Sequence, residues 1–237
     1  MVVREVVKRV PKQVVPLHGV CGYAPGCIPA YSNGTDTTFT YQGHYADNFF
    51  MGYKWQCVEF ARRWLLLRKG LALPQYDFAA HLIHMREVCD AETGEVVPCK
   101  FVSQGSPEPP VADALIVYPG TRENIFGHVG VITHVTDALV GVADQNRFFH
   151  DWDGRPYAAE FPLECVDGQY FIRDPLVECR GWVTFPERPN RVEGVPLVVS
   201  PHVRGPPKVH ICKRINYVAG QLWSWCFNRE CITFART

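Results

Sequence analysis

The sequence lacks most of the patterns that place a protein in a specialised class at once. It contains no run of about 18 uncharged apolar residues, which excludes an ordinary transmembrane helix. It contains no Cys-x-x-Cys pair, no His-Glu-x-x-His motif and no glycine-rich phosphate loop, so the common zinc and nucleotide motifs are absent. Its formal net charge is +0 and it has no internal repeat, so nothing global favours nucleic acid, a membrane or a repeat fold.

The composition is that of a globular chain with enough apolar residues for a packed core. Hydrophobic residues make up 47% of the 237 residues, aromatic residues 13% and charged residues 20%, which allows one large or two small domains. The charge is unevenly spread: residues 201–237 carry six Lys or Arg and one acidic residue, a balance of +5, which leaves −5 on the first 200. We therefore expect the tail to differ in kind from the body of the protein.

The N-terminal sequence and the ten cysteines bear on the cellular compartment. Charged residues recur every few positions near the N-terminus, and the apolar segment of a secretory signal is missing, so we expect a cytoplasmic protein. In that compartment the cysteines are expected to be reduced, and most of them to be small buried hydrophobic residues.

The order of the predicted elements indicates an α+β fold, with helices first and strands later. Apolar residues recur at spacings of three and four over residues 55–69, which predicts an amphipathic helix that ends at Gly70, and a shorter helix is predicted over 78–88. Strand patterns follow at 114–118, 128–135, 139–143, 170–173 and 181–185. We expect the helices to pack on an antiparallel sheet formed by these strands.

Composition also predicts the domain limits. Residues 1–38 are rich in Pro, Gly, Ser and Thr and are predicted to form an extended, turn-rich lead-in. Residues 39–186 contain the predicted helices and strands and form the expected domain. Pro and Arg accumulate in residues 187–237, which is typical of a linker followed by a basic tail.

One cysteine lies where a thiol would be activated. Cys57 is in the first turn of the predicted helix, where free backbone amides favour a thiolate and can stabilise an oxyanion beside the sulfur. For any single cysteine a buried structural role is the commoner outcome, so Cys57 needs a base before a catalytic role follows.

A histidine and an aspartate on neighbouring predicted strands can supply and orient that base. His128 opens one strand, with Gly130 leaving room on the same face, and Asp144 follows the next strand. Because their separation of 16 residues is even, an odd-numbered turn such as 135–137 places the two side chains opposite each other on one face. The carboxylate can then orient the imidazole toward Cys57.

A second group of potential ligands lies in the tail. It consists of three cysteines and two histidines whose spacing does not match a zinc site: His202, His210, Cys212, Cys226 and Cys231. Basic and aromatic residues of the tail could touch RNA, but a solvated extension is the commoner state of such a segment. We therefore expect neither a metal, nor an organic cofactor, nor a nucleic-acid partner.

Four segments of the sequence resemble a known family. They are Gly22-Tyr-Ala-Pro-Gly26, Lys54-Trp-Gln-Cys-Val-Glu-Phe-Ala-Arg-Arg63, Gly127-His-Val129 and Ala143-Asp-Gln-Asn146. In residue identity and order they resemble the amidase half of the bifunctional glutathionylspermidine and trypanothione synthetase/amidases, over residues 22–182. The resemblance implies the papain-like CHAP fold of that half. The family's ATP-dependent ligase half has no counterpart in this sequence, so synthesis of the conjugate is not expected.

The resemblance also implies roles for individual residues. Cys57 corresponds to the nucleophile, His128 to the base and Asp144 to the orienting carboxylate. Substrate contacts are expected from three more residues, the first of which matches the family's contact with a glutathione carboxylate: Arg62, Gln56 and Asn146. The implied activity is cleavage of the amide bond between glutathione and a polyamine, in glutathionylspermidine or trypanothione, by a thiol and without a cofactor.

Three other functions are compatible with these residues. A peptidoglycan amidase or endopeptidase uses the same fold and triad, although the missing export signal speaks against it. A non-catalytic module would be a remnant of the bifunctional enzyme. A redox-sensing thiol protein would need Cys57 but not His128, so the loss of His128 separates it from a hydrolase.

Overall fold

The computed structural model describes residues 13–35, 37–46, 49–76, 78–122, 124–191, 197–200 and 203. The chain divides into one unit of Met1–Gly205 and another of Pro206–Thr237, and the second lies outside the described residues. The predicted cluster of tail cysteines and histidines lies outside them as well. Among the described helices, none is long and apolar enough to cross a membrane.

A seven-stranded sheet of antiparallel pairs occupies the centre of the described part. In spatial order its strands are β13 (Gln169–Ile172), β12 (Ala159–Val166), β11 (Leu139–Ala143), β10 (His128–Val135), β9 (Leu115–Tyr118), β14 (Gly181–Thr184) and β8 (Lys100–Ser103). All five predicted strands are present with bounds within one residue. Together with the helix that covers the sheet, they confirm the predicted α+β, papain-like fold.

Both faces of the central strands are buried, which explains their almost continuous apolar sequence. In β9, Leu115 and Val117 belong to one hydrophobic cluster, and Ile116 and Tyr118 to another on the opposite face. The first cluster also receives the apolar side of the main helix. The sheet therefore separates two hydrophobic clusters, one on each of its faces.

The remaining strands form three smaller sheets. They are the pair β1 (Val20–Ala24) and β2 (Ile28–Tyr31), the pair β3 (Gly43–Ala46) and β4 (Phe49–Tyr53), and the three strands β5 (Leu71–Ala72), β6 (Glu87–Asp90) and β7 (Val96–Pro98). These short strands have little alternation in their sequences, and sequence patterns alone did not indicate them.

The main helix, α1 (Cys57–Lys69), confirms the prediction over residues 55–69, with a start two residues later. Phe60, Trp64 and Leu65 are fully buried and pack against the sheet. Gly70 has φ = 64° and ends the helix in the left-handed conformation, with its N–H bonded to the Leu66 carbonyl at 3.0 Å.

The second predicted helix, over 78–88, is wrong in its type and length. Ala79–His84 form a short 3-10 helix, and the chain then turns extended at Met85 (ψ = 134°) to enter β6. Val88 and Cys89 are buried in that strand, between β5 and β7. Pairing with two neighbouring strands therefore outweighed the weak helical pattern of this segment.

The packed part extends beyond both limits of the predicted domain. In the predicted lead-in, Cys21, Ala24 and Ile28 of the first hairpin are buried in the core under α1. In the predicted linker, Leu197 and Val199 are buried in a third cluster with residues of β4 and α1. In both segments Pro and Gly interrupt the apolar residues after at most three positions, so neither a helical nor a strand period develops.

Candidate active site

Cys57 is the first residue of α1, at the end of the helix where backbone amides have no helical partner. Gln56 precedes it in an extended conformation, and the Gln56 carbonyl accepts the first helical hydrogen bond from the Phe60 N–H at 3.2 Å. The Cys57 side chain is partly buried against the core. Negative charge that develops at or beside its sulfur therefore faces the positive end of the helix.

His128 is the first residue of β10, and the loop before it sets its position. Gly127 has φ = 68°, which side chains rarely adopt, and a Cβ there would lie 2.7 Å from the Tyr118 carbonyl oxygen. Glycine thus lets the chain enter β10 close beside β9, where His128 pairs with Tyr118. In this position the imidazole lies near enough to Cys57 for the two side chains to interact.

Asp144 follows β11 and lies on the same face of the sheet as His128. The pair Val131–Ala143 places Asp144 across from Gly130 and therefore diagonal to His128. His128 Nε2 donates to Asp144 Oδ2 over 3.1 Å. A Cβ on Gly130 would lie 3.3 Å from the Cβ of Asp144, so the glycine makes room for the carboxylate, as the sequence suggested.

The register that brings these two residues together differs from the predicted one. The innermost pair of the hairpin, Val135–Val140, encloses four residues, an even number that by itself would put His128 and Asp144 on opposite faces. A register shift between residues 132 and 134 adds one residue to β10 and restores the shared face. The predicted shared face is confirmed, whereas the odd turn and the direct opposition are wrong.

The surroundings of His128 favour its charged form. Burial alone would lower the pKa of the imidazole, but the charge on Cys57 and the hydrogen bond and charge of Asp144 outweigh it and raise the pKa to about 9. The His128 side chain is 12% exposed and that of Asp144 is 1% exposed. Because Nε2 is held by Asp144, Nδ1 is the nitrogen that remains available to the sulfur.

Gln56 and Asn146, two of the predicted substrate contacts, bind each other beside Cys57. Asn146 Nδ2 donates to Gln56 Oε1 at 2.9 Å, and the buried Asn33 donates to Asn146 Oδ1 at 2.9 Å. Gln56 Nε2 also donates to the Thr38 carbonyl at 3.4 Å. The two amides are therefore held in place next to the nucleophile, and their contact with a substrate stays a prediction.

Arg62, the third predicted substrate contact, is not grouped with the triad. It lies five residues after Cys57, about 140° around the helix, and is 5% exposed. Its guanidinium carbon is 5.6 Å from the ring centre of Phe49 and 5.9 Å from that of Phe50. Burial lowers the pKa of Arg62 to about 10, against the opposing charge of Glu59. Its role stays a prediction.

A buried ionic network lies under the nucleophile, and the helical pattern did not indicate it. Glu59 is fully buried, and its carboxylate accepts hydrogen bonds from Arg63 Nε and His44 Nδ1, each at 2.7 Å. Gln145 Nε2 donates to the same carboxylate at 2.7 Å and to the Gln56 carbonyl at 3.1 Å. Burial would raise the pKa of Glu59, but these bonds and the charge of Arg63 hold it below its usual value. The spacing of four between Glu59 and Arg63 was the one available signal.

A second buried cluster stands behind His128 and was also missed. The Tyr118 ring centre is 5.8 Å from that of His128, and the Tyr118 hydroxyl donates to Asp174 Oδ2 at 2.9 Å. Arg147 pairs with Asp174 at 2.7 Å, and its guanidinium carbon is 4.7 Å from the Tyr118 ring centre. Asp174 is 56 residues from Tyr118, so no local pattern links them.

Residues 48–146, which include Cys57, His128 and Asp144, match the model of the CHAP domain family. Three curated proteins are similar over most of this chain. Trypanothione synthetase of Crithidia fasciculata is 45% identical over 208 residues, which are 84% of this chain and 32% of that protein. Bifunctional glutathionylspermidine synthetase/amidase of Escherichia coli (strain K12) is 30% identical over 72% of this chain and 29% of that protein. Glutathionylspermidine synthase of Crithidia fasciculata is 31% identical over 72% of this chain and 26% of that protein.

The chain spans about a third of the length of these relatives. The predicted resemblance to the amidase half of the glutathionylspermidine and trypanothione synthetase/amidases is confirmed by these matches.

Proposed function

We propose that the protein is a cysteine amidohydrolase that cleaves the amide bond between glutathione and a polyamine, releasing glutathione and spermidine from glutathionylspermidine or trypanothione. The observation that carries the proposal is the proximity of Cys57, at the start of α1, to an imidazole that Asp144 holds by Nε2. The CHAP match and the relatives that are named synthetase/amidases support a hydrolase of the amidase type. Dependence on the thiol and the identity of the substrate are part of the proposal.

The proposed reaction proceeds through a thioester. The Cys57 thiolate attacks the carbonyl carbon of the glycyl–polyamine amide, and His128 gives its proton to the leaving amine. Backbone amides at the start of α1 stabilise the tetrahedral oxyanion, at roughly 3 kcal/mol per donor. Water, deprotonated by His128, then attacks the thioester carbonyl, which releases glutathione and returns the sulfur to Cys57. Asp144 orients the ring throughout.

Three further contacts belong to the same proposal. Gln56 and Asn146 flank the nucleophile and offer amide groups to the peptide part of the substrate. Arg62 offers a guanidinium whose Nε has no hydrogen-bond partner among the described residues. Because Phe49 and Phe50 lie against that guanidinium, its contact with a carboxylate requires these rings to move. The cytoplasmic location stays a prediction.

The proposal is tested by mass spectrometry of the purified protein mixed with glutathionylspermidine. We expect free spermidine and a glutathionyl thioester on Cys57, neither of which forms with Cys57→Ala. Asp144→Asn should slow turnover without loss of folding. The matched control is Cys165→Ala, an exposed cysteine on β12, which should retain full activity.

Several outcomes would contradict this function. If Cys57→Ala turned over substrate near the wild-type rate, Cys57 would be excluded as the nucleophile. Release of wall peptides from peptidoglycan, with no spermidine from the conjugate, would favour the other CHAP hydrolase. A thiol response that survives His128→Ala, in a protein without hydrolysis, would favour a redox sensor.

A further inference from the structure

Tyr118 packs against the imidazole of His128 and has no part in the reaction described so far. It is the last residue of β9 and pairs with His128 across the sheet, so the two side chains lie on the same face. Their ring centres are 5.8 Å apart, and the ring planes are inclined by 54°. Because Tyr118 is 2% exposed, its ring covers one side of the imidazole within the protein interior.

On its own strand, His128 has little to limit the rotation of its ring. Gly127 precedes it, and Gly130, two residues later on the same face, has no side chain either. A histidine side chain has two rotatable bonds, and the orientation needed for catalysis is one of several rotamers. The hydrogen bond to Asp144 holds the imidazole on the side of β11, and Tyr118 bounds it on the side of β9.

The Tyr118 ring is itself held at its end and over its face. Its hydroxyl donates to Asp174 Oδ2 at 2.9 Å, and burial raises the pKa of this hydroxyl, so it stays protonated and can donate. Arg147 forms an ion pair with the same oxygen at 2.7 Å, and its guanidinium carbon lies 4.7 Å from the Tyr118 ring centre. The other carboxylate oxygen of Asp174 accepts the Leu176 N–H at 3.0 Å. The tyrosine therefore cannot move without disturbing a buried ion pair.

The ion pair lies beside an apolar part of the core. Tyr118 belongs to the second hydrophobic cluster, and the side chain of Asp174, next to it, is fully buried. Removing two charges from water costs free energy that an apolar pair of the same volume would not, so stability alone does not explain the pair. Its position gives another reason, because it fixes the tyrosine that adjoins the histidine.

We propose that Tyr118 is a positioning residue for the base: its ring keeps the imidazole of His128 turned toward the nucleophile. Asp174 and Arg147 keep that ring in place. The inference rests on the proposed function, in which His128 transfers the proton. Because a displacement of about 1 Å at a reacting group can lower the rate up to about a hundredfold, a residue that takes no part in bond making can still control kcat.

The experiment replaces the Tyr118 ring and measures kcat and KM for glutathionylspermidine separately. Tyr118→Leu removes the ring, so we expect kcat to fall about tenfold to a hundredfold while KM stays unchanged, because the proposed substrate contacts are made by other residues. Tyr118→Phe keeps the ring and loses only the hydrogen bond to Asp174, so kcat should stay within about fivefold of the wild-type value.

A second readout, the proton NMR signal of His128 Nε2–H, does not depend on turnover. This proton is bonded to Asp144, so we expect a strongly downfield signal in the wild type and in Tyr118→Phe. In Tyr118→Leu the ring should turn away, and the signal should be lost through exchange with water. His128→Ala, in which the signal must be absent, assigns it.

Val140→Ala is the matched control for a loss of core packing. Val140 is fully buried in the same cluster as Tyr118, but it pairs with Val135 at the end of β10 away from His128. This variant should lose stability and change neither kcat nor the ring signal. If Tyr118→Leu does not fold, Tyr118→Met takes its place, because methionine keeps more of the volume and also lacks the ring.

The positioning role would be overturned if the variant without the ring kept the kcat or the ring signal of the wild type. An equal fall of kcat in Val140→Ala would also overturn it, since the effect would then come from stability alone. If the wild type cleaved no conjugate, the proposed function would fail, but the ring signal would still decide. Its loss in Tyr118→Leu and not in Val140→Ala supports the positioning role, and an unchanged signal overturns it.

Discussion

Cys57 differs in its surroundings from the buried cysteines of the described residues. Burial raises the pKa of Cys21 to about 11, and that of Cys99 and Cys179 to about 12, so these three stay protonated thiols inside the core. Cys57 instead has a helix N-terminus on one side and His128 on the other. Cysteines of one chain can thus differ in chemistry, because the groups around each of them differ.

The charge of His128 is a prediction at this scale. Because the sulfur charge and the hydrogen bonds raise its pKa to about 9, His128 should stay protonated through neutral pH and lose its proton only in alkaline solution. In Cys57→Ala and in Asp144→Asn a favourable partner is lost, so the pKa should fall. An NMR titration of the His128 ring measures this, with Cys165→Ala as the control; its midpoint in the wild type belongs to the coupled Cys57–His128 pair. An identical midpoint in Cys57→Ala would mean that no ion pair exists.

Glu59 supplies a second prediction for a single residue. Glu59→Gln should lower the free energy of unfolding by about 3 kcal/mol at pH 7, because it leaves the Arg63 charge buried and unpaired. The folded-state pKa of Glu59 is lowered, so its contribution is present above the unfolded value of 4.5 and is lost as the pH falls below it. The difference between wild type and variant should therefore shrink in acid.

Urea unfolding at two pH values measures the effect of Glu59→Gln. Glu164→Gln, in a pair in which both side chains are about half-exposed, should cost at most about 1 kcal/mol and serves as the control. An equally small cost for Glu59→Gln would show that the network under α1 does not stabilise the fold.

At the scale of elements, the hairpin of β10 and β11 sets the relation between base and acid. Its even turn and its register shift together return Asp144 to the face of His128, and Gly130 leaves the space that the carboxylate occupies. The shift also changes which core β10 contacts: Val131 packs in the first cluster and Val135 against the second, although regular alternation along a strand would point both the same way. One inserted residue thus serves both the site and the packing.

Gly130→Ala tests this role of the hairpin. The added methyl would lie 2.7 Å from Val142 Cγ1 and 3.3 Å from Asp144 Cβ, so we expect Asp144 to move and kcat to fall by up to about a hundredfold. The overpacked strand should also lose about 1–3 kcal/mol of stability. Gly168→Ala, where a Cβ meets nothing within 4 Å, is the control: it strains a turn but should leave kcat unchanged. Full activity in Gly130→Ala would show that the distance between the strands does not position the acid.

At the scale of the whole molecule, the domain is held together by segments far apart in the chain. The first hairpin packs under α1, and residues 197–200 pack beside β4, with the Ser200 N–H bonded to the Ala91 carbonyl at 2.7 Å. Arg188 and Arg191, which precede that segment in the predicted linker, form ion pairs with Asp90 at the end of β6 and with Glu92 just after it. The folded unit is therefore wider than the region of clear sequence patterns.

Substitution of two adjacent valines tests whether the folded domain includes residues 197–200. Val199 is 2% exposed and Val198 is 72% exposed, so Val199→Ala should lower the free energy of unfolding by about 2 kcal/mol and Val198→Ala by almost nothing. Thermal unfolding followed by circular dichroism measures both. Equal melting temperatures for the two variants would mean that the domain ends before this segment, near residue 186 as the composition predicted.

The sequence alone determined the features that depend on local order. The periodicity of α1 and its glycine stop, the strands β9, β10 and β11, and the place of Cys57 at a helix start were all readable, because propensity and spacing act over a few residues. The amino-acid sequences of four short segments indicated a resemblance to a family. That resemblance implied that Cys57, His128 and Asp144 form a triad.

Tertiary structure decided what depends on distant contacts. The register of His128 with Asp144 follows from a shift within β10 that the residue types of the strand do not predict. The buried charges of Glu59, Arg147 and Asp174 are tolerated only because partners far along the chain meet them in space. A pocket between Asp151 and the first hairpin exists only once β1 and a turn 130 residues later have packed against each other, since a cavity is a property of the walls around it and not of any one segment.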